Sequence, residues 1–378
     1  ITLSNQMQFK FIASDEYFQY LFEKLNNLNN NSFNEKLDNI ILDEQTIFLY
    51  SAMARVGDLP LNNKFLNLDP INLSMPIIES STTDMDLRLK AAHEAYKSGI
   101  LNLDTLEALY QRVDFSFDEL NDPNNMFNYL ENNIEIGMAY YFQHSKIQLF
   151  ADSRIKSISN FWEFAEKNNL KKIAYKLSKE ILDSIEPSSE FAEYGPEIAK
   201  VYIYNNNFDL AKKWIKFSQN ILFEEDNIAK LKVSQFLFNL LNLDDPLEFS
   251  NILIENLQNF EDLVFQQENN QSIYEILYTI YELFGDLENN PFKLTNRITD
   301  NRIMPSIYLV NKIRNNSVDL KKIDSDLLLS ILVSLDGKKW NQIHPEHMRL
   351  ILVGLQVYEN GYILNKIILE ILEQSKII

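Results

Sequence analysis

Apolar residues recur every three or four positions along most of this chain, which is the spacing that one buried face of an α-helix requires. The clearest case is residues 189–223, where two such runs are joined by a polar turn at residues 205–207. Ala199 and Ala211 lie where the two helices would touch, because small side chains let helix axes approach closely. Large apolar residues stand about one turn away: Tyr202, Phe208, Trp214 and Ile215. We therefore predict a helical hairpin here.

The same spacing predicts helices on both sides of this hairpin. Ser14 and Asp43 have the residue types that begin helices, and Gly57 and Gly99 are placed to end them. Further helices are predicted over residues 123–131, 134–150, 153–168, 170–185, 226–241 and 272–284, with a long one beginning at Asp245-Pro246 and three or four after Pro305. Residues 7–11 alternate between apolar and polar, which suits a short strand or an extended lead-in, and residues 115–122 are predicted to be a loop.

Residues 58–81 differ from the rest of the chain. Pro60, Pro70 and Pro76 interrupt a run that is otherwise rich in leucine and isoleucine. Proline disrupts a helix, and a solvated linker would be less apolar. We predict an extended arm that lies on the helical body. An arm that docks on a partner is the alternative.

The small and aromatic residues of the hairpin resemble the tetratricopeptide-like helical repeat. In that family small residues recur at the eighth and twentieth positions of a ~34-residue unit, with an aromatic residue at the eleventh. Ala199, Ala211 and Tyr202 match those positions, whereas Ser218 replaces the usual alanine and Phe223 stands at the usual closing proline. The resemblance implies that the inner helix lines a concave binding face. That face would comprise Glu193, Lys200, Ile203 and Tyr204, with Lys200 and Tyr204 holding a peptide that carries a carboxylate.

Residues 88–120 and 349–372 also resemble exported bacterial helical proteins labelled antifreeze polyproteins. Ice binding generally uses flat, regular arrays of threonine or alanine. This chain offers only one short hydroxyl run, which includes residues 81–83. We therefore draw no chemistry from that label.

These patterns predict an all-α fold, an irregular right-handed α/α superhelix of about a dozen or more helices, which is a tetratricopeptide-like solenoid with an extended proline-containing arm. Three parts are predicted. Residues 1–81 form N-terminal helices and the arm, residues 82–285 form the superhelix, and residues 286–378 form a C-terminal helical segment.

The composition narrows the choice of partners. The formal net charge is −19 and the pI is about 4.7. Binding to nucleic acids or anionic lipids needs a basic surface, and we expect none strong enough to overcome this negative charge. Five lysines cluster on one predicted helix: Lys167, Lys171, Lys172, Lys176 and Lys179. We interpret them as a solvated face whose charge is balanced by Glu163, Glu166 and Glu180. The longest uncharged apolar run, residues 327–335, is about half of what a membrane-spanning helix needs.

No catalytic, cofactor-binding or metal-binding motif is recognisable in the sequence. The chain has no cysteine, which excludes disulfides, thiolate metal sites and cysteine catalysis. His344 and His347 could share one helix turn, but an HExxH pattern and a third ligand are missing. We predict that His344 caps a helix beginning at Pro345, and that these histidines, like His93, are structural or solvent-exposed rather than metal ligands.

Taken together, these observations predict a non-enzymatic scaffold that binds a protein or peptide partner through its concave face, with no cofactor, no nucleic acid and no insertion into a membrane. A hydrolase or carbohydrate-active α/α enzyme, whose acidic residues sequence patterns do not mark, is the alternative, and a piece of a larger protein is a third possibility. Because the chain begins with Ile1, it is either a processed form or a fragment. A bacterial cytoplasm and a bacterial periplasm both fit, and of the two we favour the periplasm.

Overall fold

The computed structural model describes residues 47–56, 60–121, 123–222, 224–241, 304–318, 325–356 and 362–374, together with Thr279 and Arg302. Within these residues there are seventeen α-helices, two 3-10 helices and no β-strand. The predicted all-α fold is confirmed, and helices packed pairwise along the chain are compatible with a helical-repeat fold. Contacts divide the chain into two units, Ile1–Ile185 and Glu186–Ile378.

The helices of the first unit follow one another with short connections. They are α1 (Ile47–Val56), α2 (Asn63–Leu68), α3 (Pro70–Glu79), α4 (Met85–Lys97), α5 (Leu103–Gln111), α6 (Phe117–Asn121), α7 (Pro123–Asn132), α8 (Ile134–Ile147), α9 (Ala151–Lys167) and α10 (Lys171–Leu182). Many neighbours in sequence are also neighbours in space, notably α3 with α4 and α8 with α9. The predicted helices over residues 123–131, 134–150, 153–168 and 170–185 are confirmed with small shifts of their ends.

Helix α8 is the centre of the first unit. It contacts α4, α5, α6, α7, α9 and α10, and nearly every residue from Ile136 to Ser145 is buried. A helix that is enclosed on all sides must be apolar all round, which explains the run of aromatic and small residues here. Gly137 lies against Phe164 of α9, where a Cβ atom would come 2.4 Å from the ring carbon Cζ. The absent side chain therefore sets the distance between α8 and α9.

The predicted extended arm is wrong, because residues 63–79 form the helices α2 and α3. Asp69 separates them: its backbone N–H donates to Phe65 at the end of α2, and its carboxylate accepts from the backbone N–H of Asn72 at 3.1 Å. Pro70 takes the first position of α3, where a missing N–H costs nothing. Pro76 lies inside α3, and buried residues on either side of it hold the helix in place: Leu73, Ile77 and Ile78.

The predicted loop at residues 115–122 contains the short helix α6. Ser116 and Glu119 form a reciprocal cap, in which the Ser116 N–H donates to the Glu119 carboxylate at 2.8 Å and the Glu119 N–H donates to the Ser116 hydroxyl at 3.2 Å. The Tyr140 hydroxyl of α8 donates to the Glu119 carbonyl at 2.7 Å. This contact ties α6 to the central helix.

The second unit contains two groups of described helices. The first group consists of a 3-10 helix (Ser189–Tyr194), α11 (Gly195–Tyr204), α12 (Phe208–Ile221) and α13 (Glu225–Leu241), and the second consists of α14 (Ile307–Val318), α15 (Ser325–Leu335), a 3-10 helix (Trp340–Gln342), α16 (Pro345–Gln356) and α17 (Tyr362–Gln374). Helix α11 packs on α12 and α13, and α14 packs on α15 and α16. Helix α17 contacts both α13 and α16, so it connects the two groups.

The hairpin of α11 and α12 is the one predicted from the sequence. Ala199 and Ala211 are completely buried, and Asn206 takes a φ of +56° in the turn. Asn207 caps α12, where its side chain accepts from the Leu210 N–H at 3.3 Å. The tightest approach was not predicted: a Cβ atom on Gly195 would come 2.0 Å from the Ser218 hydroxyl oxygen.

Ser218→Ala is expected to stabilise the second unit by about 1 kcal/mol, because among the described residues the buried Ser218 hydroxyl makes no hydrogen bond. Gly195→Ala is expected to destabilise it, and the cost should shrink when both substitutions are combined, since the added methyl would meet that hydroxyl. Urea unfolding followed by Trp214 fluorescence measures all three variants. A destabilised Ser218→Ala protein would contradict this explanation.

Several predictions lie outside the described residues. These are the strand or lead-in at residues 7–11, the helices beginning at Ser14 and Asp245, almost all of the helix at 272–284, and the boundary at residue 286. The three-part division stays a prediction. The division by contacts falls between Ile185 and Glu186, within the segment that the sequence assigns to one superhelix.

Candidate functional site

Helix α11 is the most enclosed helix in its group, and its remaining polar side chains form a single line. Seven of its residues are buried: Gly195, Pro196, Ile198, Ala199, Val201, Tyr202 and Ile203. Glu197, Lys200 and Tyr204 are the others, and they are spaced at i, i+3 and i+7. This spacing places them on one face of the helix, and we call them the α11 stripe.

Lys200 and Glu197 form an ion pair within this stripe. The Lys200 Nζ atom lies 2.7 Å from Glu197 Oε1, and the two side chains are only 12% and 20% exposed. A pair with so little exposure is screened less by salt than an ordinary surface pair. Because both charged groups have lost hydration, removal of either one would leave the other charge buried and uncompensated. The stripe therefore holds one carboxylate from its own helix.

Tyr204 holds a second carboxylate, from the other end of the unit. Its hydroxyl donates to Glu373 Oε1 of α17 at 2.5 Å. Burial, followed by the negative charges of Glu373 and Glu197, raises the pKa of Tyr204 well above its ordinary value. The hydroxyl therefore keeps its proton at neutral pH and acts as a donor to carboxylates.

The structure places the four predicted binding residues differently. Lys200 and Tyr204 lie together on the stripe. Glu193 is exposed in the preceding 3-10 helix, and Ile203 is fully buried, so its side chain offers no surface to a ligand in this conformation. Glu197 was missed, although its spacing of three residues from Lys200 marks it as an ion-pair partner. Glu373 was missed because it lies 169 residues from Tyr204 and no local pattern links them.

The described part of the chain buries three histidines, and each is hydrogen-bonded to neutral groups: His93, His144 and His347. The His93 Nε2 atom lies 2.7 Å from the Tyr110 hydroxyl, and His347 Nε2 lies 2.8 Å from the Ser334 hydroxyl. Burial, with a smaller contribution from Lys97, lowers the pKa of His93 to about 3. The prediction that His344 caps a helix is confirmed, because its Nδ1 atom accepts from the Glu346 N–H at 3.1 Å.

The lysine-rich face of α9 and α10 carries ion pairs, one with the predicted Glu166 and one with Asp183, which was not predicted. Lys171 lies 2.9 Å from Glu166, and Lys179 lies 2.9 Å from Asp183. No group of three potential metal ligands occurs among the residues that the structure describes. The helices within the same residues include none that is long and apolar enough to cross a membrane.

Comparison of the chain with protein-family models, with curated proteins and with solved structures found no match. The likeness to tetratricopeptide-like repeats therefore rests on the residues of the α11–α12 hairpin. The candidate site rests on the geometry of the α11 stripe and Glu373.

Proposed function

We propose that this chain is a non-enzymatic, tetratricopeptide-like scaffold that binds a protein or peptide partner through the α11 stripe. The partner carries a carboxylate, which takes the place of Glu373 on the Tyr204 hydroxyl and lies beside Lys200. The partner must displace Glu373 because the side chains of Lys200 and Tyr204 are already largely covered in the structure. The C-terminal end of α17 is thus the resident occupant of the binding face.

The observation that supports this proposal is the contact between Tyr204 and Glu373. It is an example, within the chain, of the interaction proposed for the partner. A hydroxyl fixed by burial and a carboxylate brought by a separate helix form a charge-assisted hydrogen bond, which is stronger than a neutral one. Lys200 adds a positive charge one turn away in a protein whose net charge is −19.

The experiment begins with capture of partners from extract and continues with one purified partner. Tyr204→Phe and Lys200→Met remove the hydroxyl and the ammonium while keeping most of the packing. Each is expected to weaken binding about tenfold or more, the effect of losing a hydrogen bond to a charged group. Lys213→Met, which removes an exposed charge from α12, is the matched control and should leave the affinity unchanged.

Equal affinities for wild type, Tyr204→Phe and Lys200→Met would contradict the proposal. The thermal midpoint of each variant must be measured alongside, since Tyr204 also connects α11 to α17. A loss of affinity counts only where the midpoint stays within a few degrees of wild type.

A hydrolase is the second candidate. The observation that favours it is that two carboxylates border the α11 stripe: Glu373 accepts from the Tyr204 hydroxyl, and Glu197 pairs with Lys200 one turn away. Paired carboxylates are the usual acid and base of glycoside hydrolysis. Substitution of Glu373 separates the candidates, because an enzyme would lose turnover whereas the scaffold would gain affinity for its partner.

A further inference from the structure

The turn between α8 and α9 exposes two large apolar side chains in succession. Leu149 is 85% exposed and Phe150 is 75% exposed, although they join two of the most deeply buried helices of the first unit. We call these two residues the 149–150 knob. Single exposed apolar side chains are common on protein surfaces, but two adjacent ones at such exposure are a feature that binding surfaces use.

The backbone that carries the knob is held firmly on both sides. Arg154 donates to the Gln148 carbonyl from Nε at 3.1 Å and from Nη2 at 2.8 Å, and the Gln148 side chain donates to the His144 carbonyl at 3.2 Å. The Arg154 N–H closes the first turn of α9 on the Phe150 carbonyl at 2.9 Å. Binding by a pre-ordered segment loses less conformational entropy than binding by a loose one.

Among the described residues, the charges around the knob leave one cation, Arg154, without an ion pair. Lys156 is paired with Asp152 at 3.0 Å, and Lys146 is paired with Glu107 at 2.7 Å. Arg154 is different, because within the described part of the chain its guanidinium contacts only the Gln148 carbonyl and the Ser184 hydroxyl. The local surface is therefore apolar at its tip and positive at its base.

We propose that the 149–150 knob inserts into an apolar pocket of a partner protein that carries an Asp or Glu carboxylate on the rim, opposite Arg154. The convex tip fits a concave apolar surface, and a guanidinium that forms no ion pair with the described residues favours an acid beside it. The formal charge of −19 opposes approach to an anionic lipid surface, which favours a protein occupant. This surface belongs to the first unit, and the proposal does not depend on the α11 stripe.

The test places a photoreactive p-benzoylphenylalanine at position 150 and maps the cross-linked residue of the partner in extract. The supporting result is a cross-link to an apolar pocket flanked by Asp or Glu. With that partner purified, Leu149→Ser combined with Phe150→Ser should lower the affinity about a hundredfold, as the loss of a buried aromatic anchor does. Arg154→Gln should lower it about tenfold and remove its dependence on salt.

Leu332→Ser is the matched control, since it removes a side chain that is 65% exposed on α15 and should leave the affinity unchanged. Three results would overturn the proposal: an affinity that the double serine variant retains, a dimer of this chain that the variant dissolves, or binding to phosphatidylglycerol vesicles that the variant loses. The variant's thermal midpoint should match wild type, because both side chains are exposed.

Discussion

Gly137→Ala is expected to destabilise the first unit by about 3 kcal/mol, at the upper end of what one extra methyl group costs in a well-packed core. The added Cβ would lie 2.4 Å from Phe164 Cζ and 3.2 Å from the Leu130 carbonyl oxygen. Phe164 cannot move away easily, because its ring packs on Tyr141 with centroids 5.0 Å apart. Helices α8 and α9 would have to separate at the centre of the unit.

Urea unfolding followed by Trp162 fluorescence measures this effect, in a protein whose other tryptophans are replaced by Trp214→Phe and Trp340→Phe. Phe164→Leu removes the ring atoms that the methyl group would meet. The loss of unfolding free energy in the combined variant should therefore be clearly smaller than the sum of the losses in the two single variants. Strict additivity would show that Gly137 does not set the distance between α8 and α9.

Acidification is expected to destabilise the first unit through His93. The unfolded histidine binds a proton below about pH 6.5, whereas the folded one binds it only near its pKa of about 3. The unfolded state therefore binds more protons across this window, and the free energy of unfolding falls by about 1.4 kcal/mol for each pH unit lost. Over the whole window the loss from His93 alone is about 5 kcal/mol.

The groups that face His93 do not offset this loss. Tyr110 stays protonated, because burial raises its pKa well above the ordinary value, and Lys97 disfavours a second positive charge. His93→Gln keeps a side chain that can bond the Tyr110 hydroxyl but does not titrate. Its unfolding free energy, measured from pH 7 to pH 4.5, should fall less steeply than that of wild type, and parallel curves would contradict the prediction.

The α11–α12 hairpin could be predicted from the sequence because its determinants are local. The small residues Ala199 and Ala211, the cap at Asn207 and the polar turn all lie within one hairpin, and helical spacing relates them. The contact of Gly195 with Ser218 also arises because α11 and α12 approach each other closely. It was missed because serine in place of alanine was treated as a departure from the repeat.

Proline misled the prediction for residues 58–81. Asp69-Pro70 has the cap and first-turn arrangement recognised at Asp122-Pro123, so the sequence held the signal for the start of α3. Pro76 is different. A proline within a helix is costly on its own, and only the packing of α3 against α4 and the burial of Leu73 and Ile77 show that the cost is offset.

The candidate site could be predicted only in part. Lys200 and Tyr204 could be predicted from the resemblance to helical repeats. The carboxylates that they bind, those of Glu197 and Glu373, were seen only in the structure. Glu373 lies on the last described helix, and a contact across 169 residues depends on how α17 packs on α13 rather than on any local pattern. The 149–150 knob was missed because the predicted helix ran to residue 150, whereas α8 ends at Ile147.

The affinity of a purified partner for the Glu373→Ala protein tests the central claim most directly. If the partner's carboxylate replaces Glu373 on Tyr204, removal of the resident carboxylate should raise the affinity about tenfold, and the gain should vanish in a Tyr204→Phe background. Glu370→Ala, an exposed change on the same helix that breaks a bond to Gln374, should have no effect. An unchanged or lower affinity for Glu373→Ala, with the thermal midpoint preserved, would contradict binding at the α11 stripe.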